Sequence, residues 1–172
     1  MENIRGYDKQ FIEGNNIIRL ALKLKDPSFV APTIEKLKKY AVGTRLKYED
    51  GKIVPTNYEV PAVRLPDNLT SLRDACNYMA FNHTYYPNMV LSNIGANKDT
   101  VILNTNHIAC DGKLMIELFE AIRDNKECDI PHKIVSSYDL FGKEMAEAKE
   151  YPEPPEFDPN ITRFTLKDKC FQ

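Results

Sequence analysis

No stretch of this sequence approaches the roughly 20 consecutive apolar residues that a membrane-spanning helix requires. The opening, MENIRGYDKQFIEGNN, also lacks the apolar core of a signal peptide. A cytoplasmic chain with no membrane span is therefore expected. An excess of one charge is missing too: 23 Lys and Arg stand against 25 Asp and Glu, for a net charge of -2 and a pI near 6.0. A dedicated nucleic-acid binder would carry a basic excess, so no nucleic-acid partner is expected. The lysines of EKLKKY fall on the polar side of a helical pattern and read as a solvated face. Cysteines are few and scattered. Cys76, Cys110, Cys128 and Cys170 form no C-x-x-C and no finger-like spacing with His83, His107 or His132. They read as reduced thiols, and no metal site is expected. No glycine-rich phosphate loop is present, which leaves kinase and nucleotide-hydrolase readings unsupported.

What is present is an ordinary globular composition. The 172 residues are 42% apolar and 28% charged, enough for one domain with a real core. From Ile17, IIRLALKLK alternates with period two: Ile18, Leu20, Leu22 and Leu24 on one face, Arg19, Lys23 and Lys25 on the other. This predicts a strand with one buried face. In DPSFVAPTIEKLKKY, Phe29 or Val30, Ile34, Leu37 and Tyr40 have helical spacing. Pro32 is tolerated in a first turn but not further in. VGTRLKYEDGKIVPTNYEV reads as a hairpin about Asp50-Gly51, with Pro55 and Pro61 marking an edge strand or an early end to pairing. SLRDACNYMAFNH reads as a short helix capped by Ser71 and Asp74, with Leu72, Cys76 and Met79 along one side. NMVLSNI and TVILNTNH predict two strands across the turn GANKD. KLMIELFEAIRD is the clearest helix, with Leu114, Leu118, Ala121 and Ile122 inward. The order β-α-β-β-α-β-β-α predicts an α/β (α+β) sandwich with a mixed, mostly antiparallel sheet and helices packed on it.

The junction between the last predicted strand and the last predicted helix holds the chemistry-bearing residues. It reads Asn106-His107-Ile108-Ala109-Cys110-Asp111-Gly112, an H-x-x-x-D-G motif. A histidine takes a proton near neutral pH more readily than any other side chain, and a strand end can hold it rigidly. Asp111 is placed to cap the helix or to meet an arginine and fix the loop. Gly112 would allow a backbone conformation, or a close approach, that a Cβ forbids. The same letters also describe an ordinary turn and cap.

The segment from about Ile17 to Asp124 resembles, in its motif and its order of elements, the coenzyme-A-dependent acyltransferase superfamily. That group has the chloramphenicol acetyltransferase-like fold and includes condensation domains, alcohol acyltransferases and wax-ester synthases. The resemblance implies that His107 is the general base, that Asp111 is structural and meets an arginine from an early strand, and that Gly112 completes the motif. The donor it implies is an acyl thioester on coenzyme A or a carrier protein, used as co-substrate. The acceptor is a small alcohol or amine, and no tightly bound cofactor or metal is needed. The sequence departs from the family at three places. Asn106 stands where the first histidine of the pair would be. Gly43 stands where the early arginine would be, with Arg45, two residues on along the expected strand, as substitute. The chain also corresponds to one lobe only: an excised N-terminal lobe of a two-lobed enzyme, or a lobe whose other half is another chain or a second copy of this one.

The domain layout that follows is a motif-bearing lobe over residues 1–130. Residues 131–172 of the same domain would then hold a further helix in SSYDLFGKEMAEAKE, a proline-rich strap in YPEPPEFDPN and a last strand in ITRFTLKDK. Candidate pocket residues are Asn106, Thr105 and Tyr85. The cluster of His83, Tyr85 and Tyr86 reads more readily as a connector packed under the sheet than as the lining of an acceptor pocket, and His132 as exposed. Cys110 is expected to be a buried bystander rather than a nucleophile. The alternative to an enzyme is an acyltransferase-like lobe that has lost catalysis and serves in binding or assembly.

Overall fold

The computed structural model describes residues 6–56, 60, 62–82 and 90–128. His83, Tyr85, Tyr86, His132, Cys170 and the helix, strap and strand expected within 131–172 lie outside the described residues. The elements are α1 (Gly6–Glu13), β1 (Ile17–Lys23), α2 (Val30–Tyr40), β2 (Leu46–Glu49), β3 (Lys52–Pro55), β4 (Val63–Arg64), α3 (Leu72–Asn82), β5 (Ser92–Ala96), β6 (Thr100–Asn106) and α4 (Gly112–Arg123). A four-stranded sheet has the order β1-β6-β5-β4, and β2 and β3 form a separate hairpin. β6 is antiparallel to both its neighbours, and β4 runs parallel to β5. The fold is thus α+β with a mixed, mostly antiparallel sheet, as the pattern of elements predicts. α1 and the two-residue β4 are additions to that pattern.

β6 is one of the two inner strands, and every one of its residues is buried. Side chains alternate across a strand, so its two faces enter different cores. Val101 and Leu103 pack with Leu37 and Tyr40 of α2 and with Met115 and Leu118 of α4. Ile102 packs on the opposite face with Leu65 and with Ala75 and Met79 of α3. Burial of a side chain such as Leu103 contributes about 1.5–3 kcal/mol, which makes this strand the firmest support a site could have here. The two faces also correct the one-sided reading of β1. Ile18, Leu20 and Leu24 do pack against the α2/α4 core, but Ala21 on the other face packs under α3. Arg19, on that second face, is half-buried opposite Asn104 of β6. Among the described residues its Nε and the Asn104 Oδ1 have no hydrogen-bond partner. Desolvation lowers the Arg19 pKa, with the nearby Cys76 thiol acting in the opposite sense.

Local chemistry sets the helix and turn boundaries. Asp26 Oδ1 accepts a 2.8 Å hydrogen bond from the Ser28 amide and starts a short 3₁₀ turn over Pro27–Phe29. α2 follows with Pro32 in its first turn, where no intrahelical N–H is required. Leu37 and Tyr40 are buried, while Phe29 is 59% exposed and takes no part in the core. Of the lysines in EKLKKY, Lys39 is exposed but reaches Glu127 at 2.8 Å, and Lys36 Nζ donates to Asn125 Oδ1 at 2.7 Å. Tyr40 Oη also bonds Glu127, so this side of α2 tethers the turn after α4. At α3 the Asp74 amide donates to Ser71 Oγ at 3.1 Å, and that hydroxyl donates to Asp74 Oδ2 at 2.7 Å, a reciprocal cap. The hairpin turns at Asp50 (φ 49°) and Gly51 (φ 78°), the paired positive φ values that Asp-Gly favours.

Candidate functional site

The H-x-x-x-D-G segment lies where the chain leaves β6 and enters α4, as predicted. Asn106 is the last residue of the strand and is 4% exposed. Its amide is used at both ends. Oδ1 accepts from the Ile108 amide at 3.1 Å, capping a 3₁₀ turn over His107–Ala109. Nδ2 donates to the Phe11 carbonyl at 3.0 Å. The His107 amide donates to the Asn16 carbonyl at 2.7 Å, which fixes the histidine backbone to the chain entering β1. The His107 side chain is half-buried. Its ring lies flat on the Phe11 ring, with centroids 4.6 Å apart and planes inclined by 8°. Among the described residues neither imidazole nitrogen is hydrogen-bonded.

Asp111 is the N-cap of α4: its Oδ1 accepts from the Leu114 amide at 2.8 Å. Of the two roles open to this carboxylate, the cap is the one observed, and it makes no ion pair among the described residues. Arg45 is elsewhere. It lies in a 3₁₀ turn over Val42–Arg45, not on a strand, so the expected shared strand face of residues 43 and 45 does not exist. Its Nη1 donates to the carbonyls of Lys38 at 2.5 Å and Lys39 at 2.8 Å. Those are open acceptors at the C-terminal end of α2, where a cation also meets the negative end of the helix dipole. Arg45 supports α2 and does not support Asp111.

The glycine that a close approach demands is Gly43 rather than Gly112. A Cβ on Gly112 would meet nothing within 4 Å, and its φ is not positive, so it is simply the first residue of α4. A Cβ on Gly43 would lie 2.1 Å from Ser92 Oγ and 3.1 Å from Ala109 Cβ. The position where the resemblance puts an arginine is therefore pressed against β5 and the underside of the motif turn. Ser92 Oγ is hydrogen-bonded to Thr105 Oγ1, and Thr105 also donates to the Leu91 carbonyl at 3.3 Å. At 1% and 4% exposure, Thr105 and Asn106 are interior supports of the turn and not pocket lining. Tyr85 lies outside the described residues. Cys110 is buried, and its Sγ donates to the Asp111 carbonyl at 3.5 Å, not to His107. Burial first, and the neighbouring Asp111 charge second, push its pKa from 9.0 to about 12, so the thiol stays protonated near neutral pH.

The support that sequence reasoning missed is α1. Phe11 stacks on His107, the Phe11 carbonyl receives Asn106, and Ile12 is buried with Leu91 and Ala109. The available signal was Gly14-Asn15-Asn16 directly after QFIE, a helix-stop composition. Asn15 has a φ of 49°, and the Asn16 amide closes the end of α1 on the Phe11 carbonyl at 3.0 Å.

No family model matches the chain, and no curated protein matches it. A solved structure described as the complex of the X-domain and OxyB from teicoplanin biosynthesis is similar in part, at 10% identity and a TM-score of 0.36. The match covers 85% of this chain and 34% of that chain, an overlap too loose to establish a shared family. Among the described residues no helix is long and apolar enough to cross a membrane.

Proposed function

We propose that this chain is the histidine-bearing lobe of an acyltransferase, with His107 as general base, an acyl thioester on coenzyme A or a carrier protein as donor, and a small alcohol or amine as acceptor. The observation that carries the reading is His107 itself. It sits at the end of an inner strand with its backbone anchored and its ring partly exposed, and among the described residues neither ring nitrogen is hydrogen-bonded. In the proposed reaction one nitrogen takes the proton of the acceptor O–H or N–H as the acceptor atom attacks the thioester carbonyl. The tetrahedral oxyanion collapses, the C–S bond breaks, and the imidazolium returns its proton to the departing thiolate. Asp111 holds the start of α4, and Asn106 holds the turn. The oxyanion needs hydrogen-bond donors; in this reading they come from a second lobe.

The test is a panel of acyl-coenzyme A donors, short to long, with mixed alcohol and amine acceptors, and mass spectrometry of the acceptor. Acylated product that requires both the protein and the acceptor supports the reading. Its absence from every donor, with the protein folded, removes catalysis by this chain alone. One observation favours the second reading, a non-catalytic binding or scaffold lobe: among the described residues Asp111 meets no arginine, and Gly43 is packed where that arginine would arise. Under that reading His107→Ala leaves every binding property of the protein unchanged.

A further inference from the structure

A histidine that acts as a base is ordinarily held by a third group, hydrogen-bonded to the ring nitrogen that does not face the substrate. His107 has no such group among the described residues. What it has is a flat aromatic neighbour. We infer that Phe11 is the positioning residue for His107, and that α1 does by ring stacking what a hydrogen-bonded carboxylate or carbonyl does elsewhere. The inference rests on the acyltransferase reading for its catalytic meaning, but the geometry stands by itself.

Three anchors make α1 and the motif turn one unit. Asn106 Nδ2 is bonded to the Phe11 carbonyl at 3.0 Å. The His107 amide is bonded to the Asn16 carbonyl at 2.7 Å. Ile12, 2% exposed, is packed with Leu91 and Ala109. The Phe11 backbone is thus tied to the residue preceding the histidine, and its side chain covers the histidine's own face. With planes only 8° apart at 4.6 Å, stacking blocks rotation of the imidazole through the space Phe11 fills. It leaves the ring edge, which carries both nitrogens, uncovered. A hydrogen-bonded orienter would consume one nitrogen; the stack consumes neither. Phe11 touches no reacting atom in this account and is not a catalytic residue.

The experiment compares Phe11→Leu, Phe11→Tyr and wild type. Leucine fills the space without a flat face, and tyrosine keeps the face. Two readouts are taken on the free protein by NMR: the shift of the His107 Cε1 proton, which a stacked ring displaces, and carbon relaxation at the His107 ring, which measures its order. The third readout is kcat and KM for acyl transfer. Positioning predicts that Phe11→Leu loses the displaced shift and the ring order, while Phe11→Tyr keeps both. It also predicts a fall in kcat on the order of 10- to 100-fold at little-changed KM, the scale of a misplaced catalytic group, restored by tyrosine. A merely space-filling Phe11 predicts that leucine loses only the ring-current shift and keeps wild-type ring order and kcat, and that result overturns the inference. If wild type transfers no acyl group, catalysis by this chain alone falls separately, and ring order in Phe11→Leu still decides the positioning claim.

Discussion

Gly43 is the position at which the structure makes its sharpest energetic demand. Adding one methyl there, in Gly43→Ala, puts Cβ 2.1 Å from Ser92 Oγ, 3.0 Å from Ser92 Cβ and 3.1 Å from Ala109 Cβ. The first contact is impossible without movement. Ser92 is 1% exposed and bonded to Thr105 Oγ1, so rotating its hydroxyl aside gives up that bond inside the protein. An unsatisfied buried hydroxyl costs about 1–3 kcal/mol, and forcing a methyl into a packed interior costs about 1–3 kcal/mol more. The expected loss is therefore about 2–6 kcal/mol, a large share of the 5–15 kcal/mol typical of a domain. Urea unfolding followed by circular dichroism measures it. Ser92→Ala removes the Oγ that causes the worst overlap. In that background Gly43→Ala should cost at least about 1 kcal/mol less than it does alone, a non-additivity expected of residues in contact. A Gly43→Ala protein within about 0.5 kcal/mol of wild type, or strict additivity in the double variant, would refute the packing argument. It would also reopen the room for an arginine beside Asp111.

The remaining predictions test the site's supports. Asp111→Ala should lose about 1 kcal/mol through the missing cap on the Leu114 amide, with Asp111→Asn recovering most of it in urea unfolding. Asn106→His, which would restore a histidine pair, should be destabilising by about 1–3 kcal/mol, because the imidazole cannot make both the Phe11 and the Ile108 bonds; faster hydrogen exchange at the Ile108 amide reports the loss. The raised pKa of Cys110 fixes the sign of a pH effect. The unfolded thiol ionises near its ordinary value while the folded one stays protonated. The unfolded state therefore binds fewer protons above about pH 9, and stability falls as pH rises through that range. Cys110→Ala should flatten the decline between about pH 9 and pH 10 relative to wild type, and parallel curves for the two proteins would contradict it.

The parts legible in the sequence are those whose cause is local. The alternation in IIRLALKLK, the Asp50-Gly51 turn, the Ser71 cap and the periodicity of KLMIELFEAIRD each carry their own signal, and the motif does fall at a strand-to-helix junction. The misread parts are those decided by distant contacts. Arg19 alternates as a solvent-facing residue, yet α3 comes to lie over that face. VGTR continues a β-rich run, but Gly43 is drawn against Ser92 and Ala109, and the chain turns there instead of extending. β4 is two residues whose pairing with β5 depends on α3 bringing the segments together. α1 is marked only by a stop signal at Gly14. Phe11 and Ile12 alone do not reveal that one covers the histidine and the other the underside of its turn. The arginine assigned to Asp111 failed for the same reason: Arg45 serves the carbonyls at the end of α2, a partner set that no spacing rule connects to the motif.

The central claim is that His107 moves the proton. Its most direct test is thiol release from an acyl-coenzyme A donor, with and without acceptor, for wild type and His107→Ala at equal folded concentration. The account predicts acceptor-dependent release in wild type that falls by roughly 10²- to 10⁴-fold in His107→Ala, the usual contribution of a general base. Release at the same rate in both proteins would contradict it.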